Sequence, residues 1–250
     1  RIRIITSTVE NGVSWATVVG LGTGGAAVTS EAHLELRLLG GFEARLQAGA
    51  SLALPTQKAQ ALLAYLALPL GQSHPREKLA TLLWGDMQHA QARGNLRNAL
   101  SRIKKILPKA LRGSLVVERA GVSLDPTAVD VDVAQLERLL AEGSIDALGQ
   151  IPLLYRGDLL AGLVLSERPF EEWLMAERIR LHELAIQGLA RLFAYQQKTG
   201  DREAAVQTGL RLLSLDALQE SVHRAVMSLY AGLGRRQAAL RQYELCIDAL

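Results

Sequence analysis

Apolar and polar residues change their spacing along the chain, and each spacing predicts a different kind of element. Residues 1–32 are rich in Gly, Ser and Thr and show no sustained period, which predicts a leader or a linker. From Leu34 to Leu38 apolar and polar residues alternate, which is the two-residue period of a half-buried strand. Shorter apolar runs at 42–46 and 51–54 predict two further strands. The segment that begins at residue 33 is therefore expected to form a small antiparallel sheet.

Helical spacing replaces this alternation in the next segment. Apolar residues recur three and four positions apart in 57–68, 73–84 and 89–107, which predicts three helices. The third helix has one continuous apolar stripe, formed by Ala92, Leu96, Ala99, Leu100, Ile103 and Leu107. Two short strands at 115–118 and 122–124 then predict a β-hairpin. This order of elements is typical of a winged helix with an N-terminal sheet.

The second half of the chain is helical almost throughout and contains an internal repeat. The run GDREAAV at 200–206 aligns with GRRQAAL at 234–240, an offset of 34 residues that is the tetratricopeptide (TPR) period. In such a repeat the glycine allows a tight turn between antiparallel helices, and a small Ala five residues later lets them approach closely. Two copies are fewer than a stable stack needs, so we expect segments 131–160 and 170–197 to complete it.

Length and composition fit two domains. The chain has 250 residues, of which 49% are apolar, enough to bury two cores. We expect 33–128 to form a winged helix-turn-helix with a small antiparallel sheet (α+β) and 129–250 to form an all-α, TPR-like helical repeat domain, so that the fold is mainly α. The aromatic residues fall on apolar faces or at turns and are expected in the cores: Tyr65, Trp84, Phe170, Trp173, Tyr230 and Tyr243.

Cysteine content and hydropathy limit the cellular compartments in which the protein is expected. The single cysteine, Cys246, excludes an intramolecular disulfide and a cysteine-rich zinc site, which favours a reducing, cytoplasmic setting. No window approaches the roughly 18 to 20 apolar residues of a membrane helix, so we expect no membrane partner. Residue 1 is Arg, and helical spacing continues to Leu250. We therefore expect the chain to be a piece of a longer protein.

Charge is distributed unevenly, although the formal net charge is only +3. Residues 87–112 hold seven basic and no acidic residues, whereas 130–183 hold eleven acidic and five basic residues. A basic element followed by an acidic one indicates a polyanion partner for the first half.

Several runs resemble a known family. The runs LALPTQKAQALLAYLAL at 52–68 and HPREKLATLLWGDMQHAQARGNLRNALSRIKKIL at 74–107 resemble the DNA-binding half of the antibiotic-regulatory-protein (SARP) type of bacterial transcriptional activator. The run LLSLDALQESVHRAVMSLYAGLGRRQAALRQYELC at 212–246 resembles the bacterial transcriptional activator domain (BTAD) that follows in those proteins. The resemblance implies a regulator that binds direct repeats upstream of promoters and contacts RNA polymerase.

The family motifs carry over to definite positions. The turn LLW-x-D is 82–86, the recognition helix AR-x-NLR-x-ALSR is 92–102, the acidic and apolar linker between the domains is 129–133, and the element YRGDLL-x-G is 155–162. The helical signature comprises Leu215, Asp216, Leu218, Glu220, His223, Arg224 and Met227.

The third helix and the hairpin supply the candidate DNA-binding residues. In a winged helix the third helix enters the major groove, where Arg pairs with guanine and Asn with adenine, while the hairpin lies along phosphates. For the groove we predict Arg97, Asn98, Ser101, Arg102 and Lys105. Nearer the phosphates we predict Arg93, Lys104 and Lys109, with Arg119 at the tip of the hairpin. Lys and Arg also occur on solvated helices without binding anything, so the alternative is a merely exposed face.

Other motifs give little support to catalysis or to a cofactor. The run GLGTGG at 20–25 matches the dinucleotide fingerprint as a string, but the following residues leave no room for the helix and second strand that the motif requires. The five histidines show no metal-ligand spacing, and the chain lacks a phosphate-binding P-loop and a nucleophile elbow. We expect no cofactor, no metal and no enzymatic activity.

Three functions remain open. The leading hypothesis is a sequence-specific transcriptional activator that binds double-stranded DNA, with a helical domain for homodimerisation or contact with RNA polymerase. The second is the N-terminal regulatory and protein-interaction module of a multidomain signalling protein, with a nucleotide cyclase or ATPase beyond residue 250. The third is a TPR-only adaptor without affinity for DNA.

Overall fold

Two three-stranded sheets are found in the computed structural model, which describes residues 33–47 and 49–249. The strands are β1 (Leu34–Arg37), β2 (Glu43–Leu46), β3 (His74–Pro75), β4 (Leu115–Val117), β5 (Gly121–Leu124) and β6 (Val129–Val131). The first sheet has the order β2-β1-β6 and the second β3-β5-β4. The predicted hairpin is confirmed as β4 and β5, with Val117 opposite Val122.

The first sheet is mixed and not antiparallel as expected. β1 pairs with β2 antiparallel but with β6 parallel, with Leu34 opposite Val129. Residues 129–133 are accordingly no linker, because 129–131 form β6 and a helix begins at Asp132. The physical reason is the alternation in β6, where Val129 and Val131 are buried while Asp130 is exposed.

Two further boundaries differ from the prediction. The strand expected at 51–54 is reduced to an isolated bridge between Arg45 and Ser51, because the chain turns toward the next helix at Thr56. The helix expected from residue 73 begins at Arg76, because His74 and Pro75 form β3. A residue before proline favours extended backbone, which suits His74 to pairing with β5.

Ten α-helices lie in the described residues. They are α1 (Gln57–Leu66), α2 (Arg76–Trp84), α3 (His89–Ile106), α4 (Asp132–Glu142), α5 (Ile145–Leu148), α6 (Ile151–Leu154), α7 (Arg168–Thr199), α8 (Arg202–Leu215), α9 (Glu220–Gly232) and α10 (Arg236–Ala249). A short 3-10 turn, Lys109–Leu111, follows α3. No helix in this part of the chain is both long enough and apolar enough to cross a bilayer.

The internal repeat is visible as two similar helical turns. Gly200 ends α7 at φ +79°, and Gly234 lies between α9 and α10 at φ +73°. A left-handed backbone of this kind favours glycine, which explains the residue at both positions. Helices α8 and α9 approach closely at Gly209, where an added Cβ would lie 2.6 Å from the Cγ2 atom of Val226. The offset of 34 residues therefore corresponds to a repeated helical turn.

The segment 131–160, which was expected to complete the stack, does not form a regular helix pair. It contains α4 followed by the single turns α5 and α6. Gly143 ends α4 at φ +63°, which interrupts helical continuation there. Helix α4 packs instead against α5, α6 and α7.

Aromatic packing joins the first helices to α7. The Trp173 ring lies 4.9 Å from that of Tyr65 and 5.3 Å from that of Phe170, centroid to centroid. Lys58 of α1 forms an ion pair with Glu167, the residue before α7. The expectation of core positions is met for Tyr65, Trp84 and Phe170, while Trp173 and Tyr230 are half-buried.

Tyr243 departs from the expected core packing, since its exposed fraction is 54%. At the repeat offset of 34 it corresponds to Gly209, which α9 covers. Within residues 33–47 and 49–249 no helix follows α10 to cover the equivalent face. The expectation of core packing is therefore wrong for Tyr243.

Candidate nucleic-acid interface

Helix α3 is held by its apolar side, as predicted. Ala92, Leu96, Leu100 and Ile103 are buried, and α3 packs mainly on α2. The helix ends at Leu107 before Pro108, which lacks the N–H that a continuing helix needs. The opposite side of α3 therefore faces away from the core.

The predicted DNA-binding residues lie at the surface. Eight of the nine are exposed: Arg93, Arg97, Asn98, Ser101, Arg102, Lys105, Lys109 and Arg119. The ninth, Lys104, is half-buried. Seven of the nine lie on α3, Lys109 opens the 3-10 turn after it, and Arg119 lies at the tip of the hairpin.

Most of these cations have no carboxylate partner. Arg93 forms an ion pair with Glu77 of α2, at 3.1 Å between Nη2 and Oε1. Among the residues that the structure describes, none of the other predicted cations has an acidic side chain within 4.0 Å. Their charge is therefore available to an external anion.

The exposed residues of α3 fall into two sets. At about 100° per residue, Asn98 projects away from the apolar stripe, and Arg102 lies on the side of the helix opposite to Arg97. Arg97 and Lys104 lie on one flank of the helix, beside the start of α2 and the hairpin. The two sets therefore face different parts of an approaching ligand.

The flank of α3 forms one wall of a groove of about 430 Å³, here called the basic groove. Its lining consists of Arg76, Arg97, Leu100, Ser101, Lys104, Lys105, Arg112 and Val117. Five of these eight residues are basic, and none is acidic. Leu100 and Val117 contribute apolar wall.

Sequence reasoning did not select Arg76 or Arg112 as site residues. Arg112 belongs to the acid-free run 87–112, so charge counting alone could have included it. Arg76 gives no sequence signal, since it stands in the first turn of a helix beside Glu77. It reaches the groove because β3, immediately before it, pairs with β5 of the hairpin.

The hairpin is fixed closely to the helices. At Gly121 an added Cβ would lie 2.4 Å from the Oγ atom of Ser73 and 2.9 Å from the carbonyl oxygen of His74. Only glycine fits at this crossing of β3 and β5. The tip of the hairpin is closed by the backbone N–H of Glu118, which donates to the carbonyl oxygen of Gly121 at 2.9 Å.

A second polar cavity, of about 540 Å³, lies between the first sheet and helices α4 and α6 and is here called the junction cleft. Its charged lining consists of Glu35, Arg37, Asp130, Asp132, Arg138 and Arg156. Arg37 donates to Glu35 at 2.6 Å, and Arg156 lies 3.8 Å from Asp132. Acidic and basic groups are therefore balanced in this cleft.

Asp132 is the buried carboxylate of the junction cleft. It accepts hydrogen bonds from the backbone N–H groups of Leu38 and Leu39 at 2.8 to 2.9 Å. Burial raises the pKa of the Asp132 carboxyl, while the N–H groups of Leu39 and Leu38 oppose this shift. These bonds satisfy the backbone donors of residues 38 and 39 where β1 ends.

The described residues offer no metal site and do not include the nucleotide motif. No group of three His, Cys, Asp or Glu side chains within 33–47 and 49–249 is arranged to hold a metal ion. The GLGTGG run at 20–25 and the predicted leader at 1–32 lie outside the described residues.

Comparison with known proteins identifies the family. The family model "Bacterial transcriptional activator domain" matches residues 124–250. The regulatory protein AfsR of Streptomyces coelicolor is 28% identical over 207 residues, which cover 78% of this chain and 20% of AfsR. This chain thus spans about a fifth of the length of that curated relative. That relative is a regulatory protein.

A solved structure has the same fold. Mycobacterium tuberculosis EmbR, in complex with a low affinity phosphopeptide, matches 86% of this chain and 58% of its own chain with a TM-score of 0.63. The sequences are 19% identical, so this likeness concerns the fold. The predicted order of a winged helix followed by a helical domain is confirmed. Because the family model matches just over half of its length, the chain belongs to the bacterial transcriptional activator domain family, the family of the SARP-type activators.

Proposed function

We propose that the protein is a sequence-specific transcriptional activator that binds double-stranded DNA through α3 and the β4–β5 hairpin. The observation that carries this proposal is the exposed side of α3, whose cations, apart from Arg93, have no acidic partner among the described side chains. A helix of this width fits the major groove, and a hairpin beside it can follow the neighbouring phosphates.

The projecting residues of α3 suit base recognition. Arg102 can donate two hydrogen bonds to guanine, and Asn98 can both donate to and accept from adenine. Ser101 and Lys105 lie between this face and the flank that carries Arg97 and Lys104, and both also line the basic groove. Lys109 and Arg119 lie beyond this face and are assigned to backbone phosphates. The contacts to bases are thus assigned to recognition of the DNA sequence, and the contacts to phosphates are assigned to positioning of the duplex.

The helical half is assigned to contacts with protein. By resemblance to SARP-type activators we propose that two copies occupy a pair of direct repeats and that the helical half contacts RNA polymerase. Sedimentation of the protein with DNA that carries one or two repeats measures how many copies of the protein bind each DNA. A complex with two copies per repeat pair is expected, and a single copy on both DNAs contradicts it.

The test of DNA binding begins with selection of bound fragments from genomic DNA. The affinity for the preferred fragment is then measured against salt by fluorescence anisotropy. We expect the logarithm of the binding constant to fall with the logarithm of salt concentration, by about 0.9 for each phosphate neutralised. Failure to prefer any fragment over mixed-sequence duplex contradicts the proposal.

A matched pair of variants locates the site. Arg102→Ala is expected to cost about 1–3 kcal/mol on the preferred fragment, and much less on mixed duplex. Arg168→Ala is the control, since Arg168 lies on α7 with 88% of its side chain exposed. Equal affinities of Arg102→Ala and the parent protein for the preferred fragment would overturn the assignment of α3.

A second function is proposed because the chain spans only about a fifth of the regulatory relative. In this alternative the residues form the N-terminal regulatory module of a longer signalling protein, and the helical half serves mainly to bind other proteins. The full-length sequence separates the two functions, since a P-loop or a nucleotide cyclase motif beyond residue 250 would favour the alternative.

A further inference from the structure

The basic groove brings together cations from three separate elements. Arg76 comes from the start of α2, Arg97, Lys104 and Lys105 come from α3, and Arg112 is the residue after the 3-10 turn. The groove lining contains no acidic residue. Like charges so close together repel one another, and an anion in the groove would relieve that repulsion.

The walls of the groove increase its preference for an anion. Leu100 is buried and Val117 is half-buried, and both line the groove between the cations. Apolar walls lower the local dielectric constant and concentrate the field of the surrounding charges. A guanidinium group also matches the oxygens of a phosphate with two parallel hydrogen bonds.

The position of Arg97 on α3 differs from that of the base-reading candidates. Arg97 and Lys104 are seven residues apart, which places them on one flank about 10 Å apart along the helix axis. Asn98 and Arg102 lie about 100° and 140° round the helix from Arg97, toward its outward face, and neither lines the groove. If the outward face of α3 contacts the bases of a duplex, the sugar-phosphate backbone of that duplex lies toward the flank that carries Arg97 and Lys104.

We infer that the basic groove is a phosphate-ester site, in which Arg97 acts with Arg76, Lys104 and Arg112 to hold a phosphate of the DNA backbone and does not read a base. This inference rests on the proposed function. It reassigns Arg97 from the residues that read bases to the residues that hold the DNA backbone. It adds Arg76 and Arg112, which were not among the residues predicted from the sequence. A free phosphorylated molecule offers the same chemistry, so the experiment has an arm for each source.

The DNA arm uses Gln substitutions, because Gln keeps much of the side-chain length and removes the charge. Arg76→Gln, Arg97→Gln and Arg112→Gln are each titrated with the preferred fragment and with mixed duplex over a range of salt. Each is expected to weaken both complexes by the same factor and to lower the salt slope by at most about 0.9, the value for one neutralised phosphate. The ratio of the two affinities stays as in the parent protein.

Arg102→Gln is the contrasting variant, since it is expected to reduce the affinity ratio itself. Thermal unfolding of every variant checks that the fold is retained. The inference is wrong if Arg76→Gln and Arg112→Gln leave the salt slope unchanged, or if Arg97→Gln reduces the ratio as Arg102→Gln does. If no variant, including Arg102→Gln, changes either quantity, the proposed function itself fails.

The second arm measures binding of pyrophosphate alone by calorimetry. Binding that is lost in the Arg76→Gln, Arg112→Gln double variant shows that the groove also accepts free phosphates. Absence of pyrophosphate binding, together with the reduced salt slopes, assigns the site to the DNA backbone. Pyrophosphate binding that survives in the double variant counts against the groove as the phosphate site.

Discussion

The basic groove and the junction cleft are both rich in arginine, but they differ in what the arginines face. In the junction cleft Arg37 is bonded to Glu35, and Arg156 lies near Asp132. The basic groove has no carboxylate in its lining. Arginine therefore stabilises the fold in one place and stays available for an external anion in the other. The number of cations alone does not distinguish these roles.

The difference also reflects burial. Asp132 is buried where β1 ends, and its carboxylate binds backbone N–H groups of that strand. The chain segment 158–160 meets the same strand end, where Leu160 N–H donates to the carbonyl oxygen of Leu38 at 2.8 Å. Polar groups of the junction cleft thus connect the first sheet to the helical half. The exposed cations of α3 make no such connection.

The largest expected effect is on stability, from removal of the buried carboxylate. Asp132→Ala leaves the N–H groups of Leu38 and Leu39 without their acceptor, which costs about 1–3 kcal/mol for each unpaired group. Urea unfolding followed by circular dichroism measures the loss. Asp130→Ala, two residues earlier on β6, is the control, since the Asp130 side chain is 68% exposed, and it should cost less than about 1 kcal/mol. Equal losses in the two variants would show that burial of Asp132 is not what matters.

The next prediction converts the basic groove into a charge-balanced one. Ser101→Glu places a carboxylate among the cations of the groove and is expected to weaken duplex binding by about 1–3 kcal/mol, or tenfold for each 1.4 kcal/mol. Ser101→Gln has nearly the same shape without the charge and serves as the control. Anisotropy at fixed salt gives both affinities. If Gln weakens binding as much as Glu does, steric fit and not charge governs this surface.

The pattern of neighbouring residues was enough to predict those structural features that depend on residues close together in the sequence. The apolar stripe of α3, the β4–β5 hairpin and the 34-residue repeat all depend on residues close in sequence, where period and burial correspond directly. The exposed cations followed from the same stripe, because the side opposite a buried face is exposed. The outline of the candidate interface was accordingly accessible before the fold was known.

Features made by distant pairing were not accessible in this way. β6 has three residues, and Asp132 bonds to Leu38, 94 residues earlier. A strand so short carries too little periodicity to be separated from a linker. Arg76 joins the basic groove only because β3 pairs with β5, and no local pattern records that pairing. The features that could not be predicted from the sequence are therefore those that depend on pairing between residues far apart in the chain.

The sheet beside the basic groove has a predicted pH dependence of moderate size. Burial, with Lys78 nearby, lowers the pKa of His74, whose ring lies 4.9 Å from that of Tyr65. The unfolded chain takes up a proton on this residue near pH 6.5, whereas the folded chain does so only at lower pH. The free energy of unfolding should therefore fall as pH decreases below about 6.5, by at most about 1.4 kcal/mol per pH unit from this group.

Variants separate His74 from the other titrating groups. His74→Gln should remove part of the fall in unfolding free energy between pH 7 and pH 5, measured by urea unfolding at each pH. His89→Gln, at an exposed position of α3, should keep the dependence of the parent protein. A His74→Gln variant with the full dependence would assign the effect to another residue.

The smallest expected effect concerns the exposed ion pair of the junction cleft. Glu35→Gln removes the partner of Arg37, but about 40% of the Glu35 side chain and 35% of the Arg37 side chain are exposed. Solvent screens such a pair, so the free energy of unfolding should change by less than about 1 kcal/mol in urea unfolding. The salt slope of DNA binding should stay at its parent value, because Arg37 does not line the basic groove. A steeper salt slope in Glu35→Gln would mean that Arg37, once it has lost its carboxylate partner, also contacts the duplex. The arginines of the two cavities would then differ only in whether they are paired with a carboxylate, and not in whether they can reach DNA.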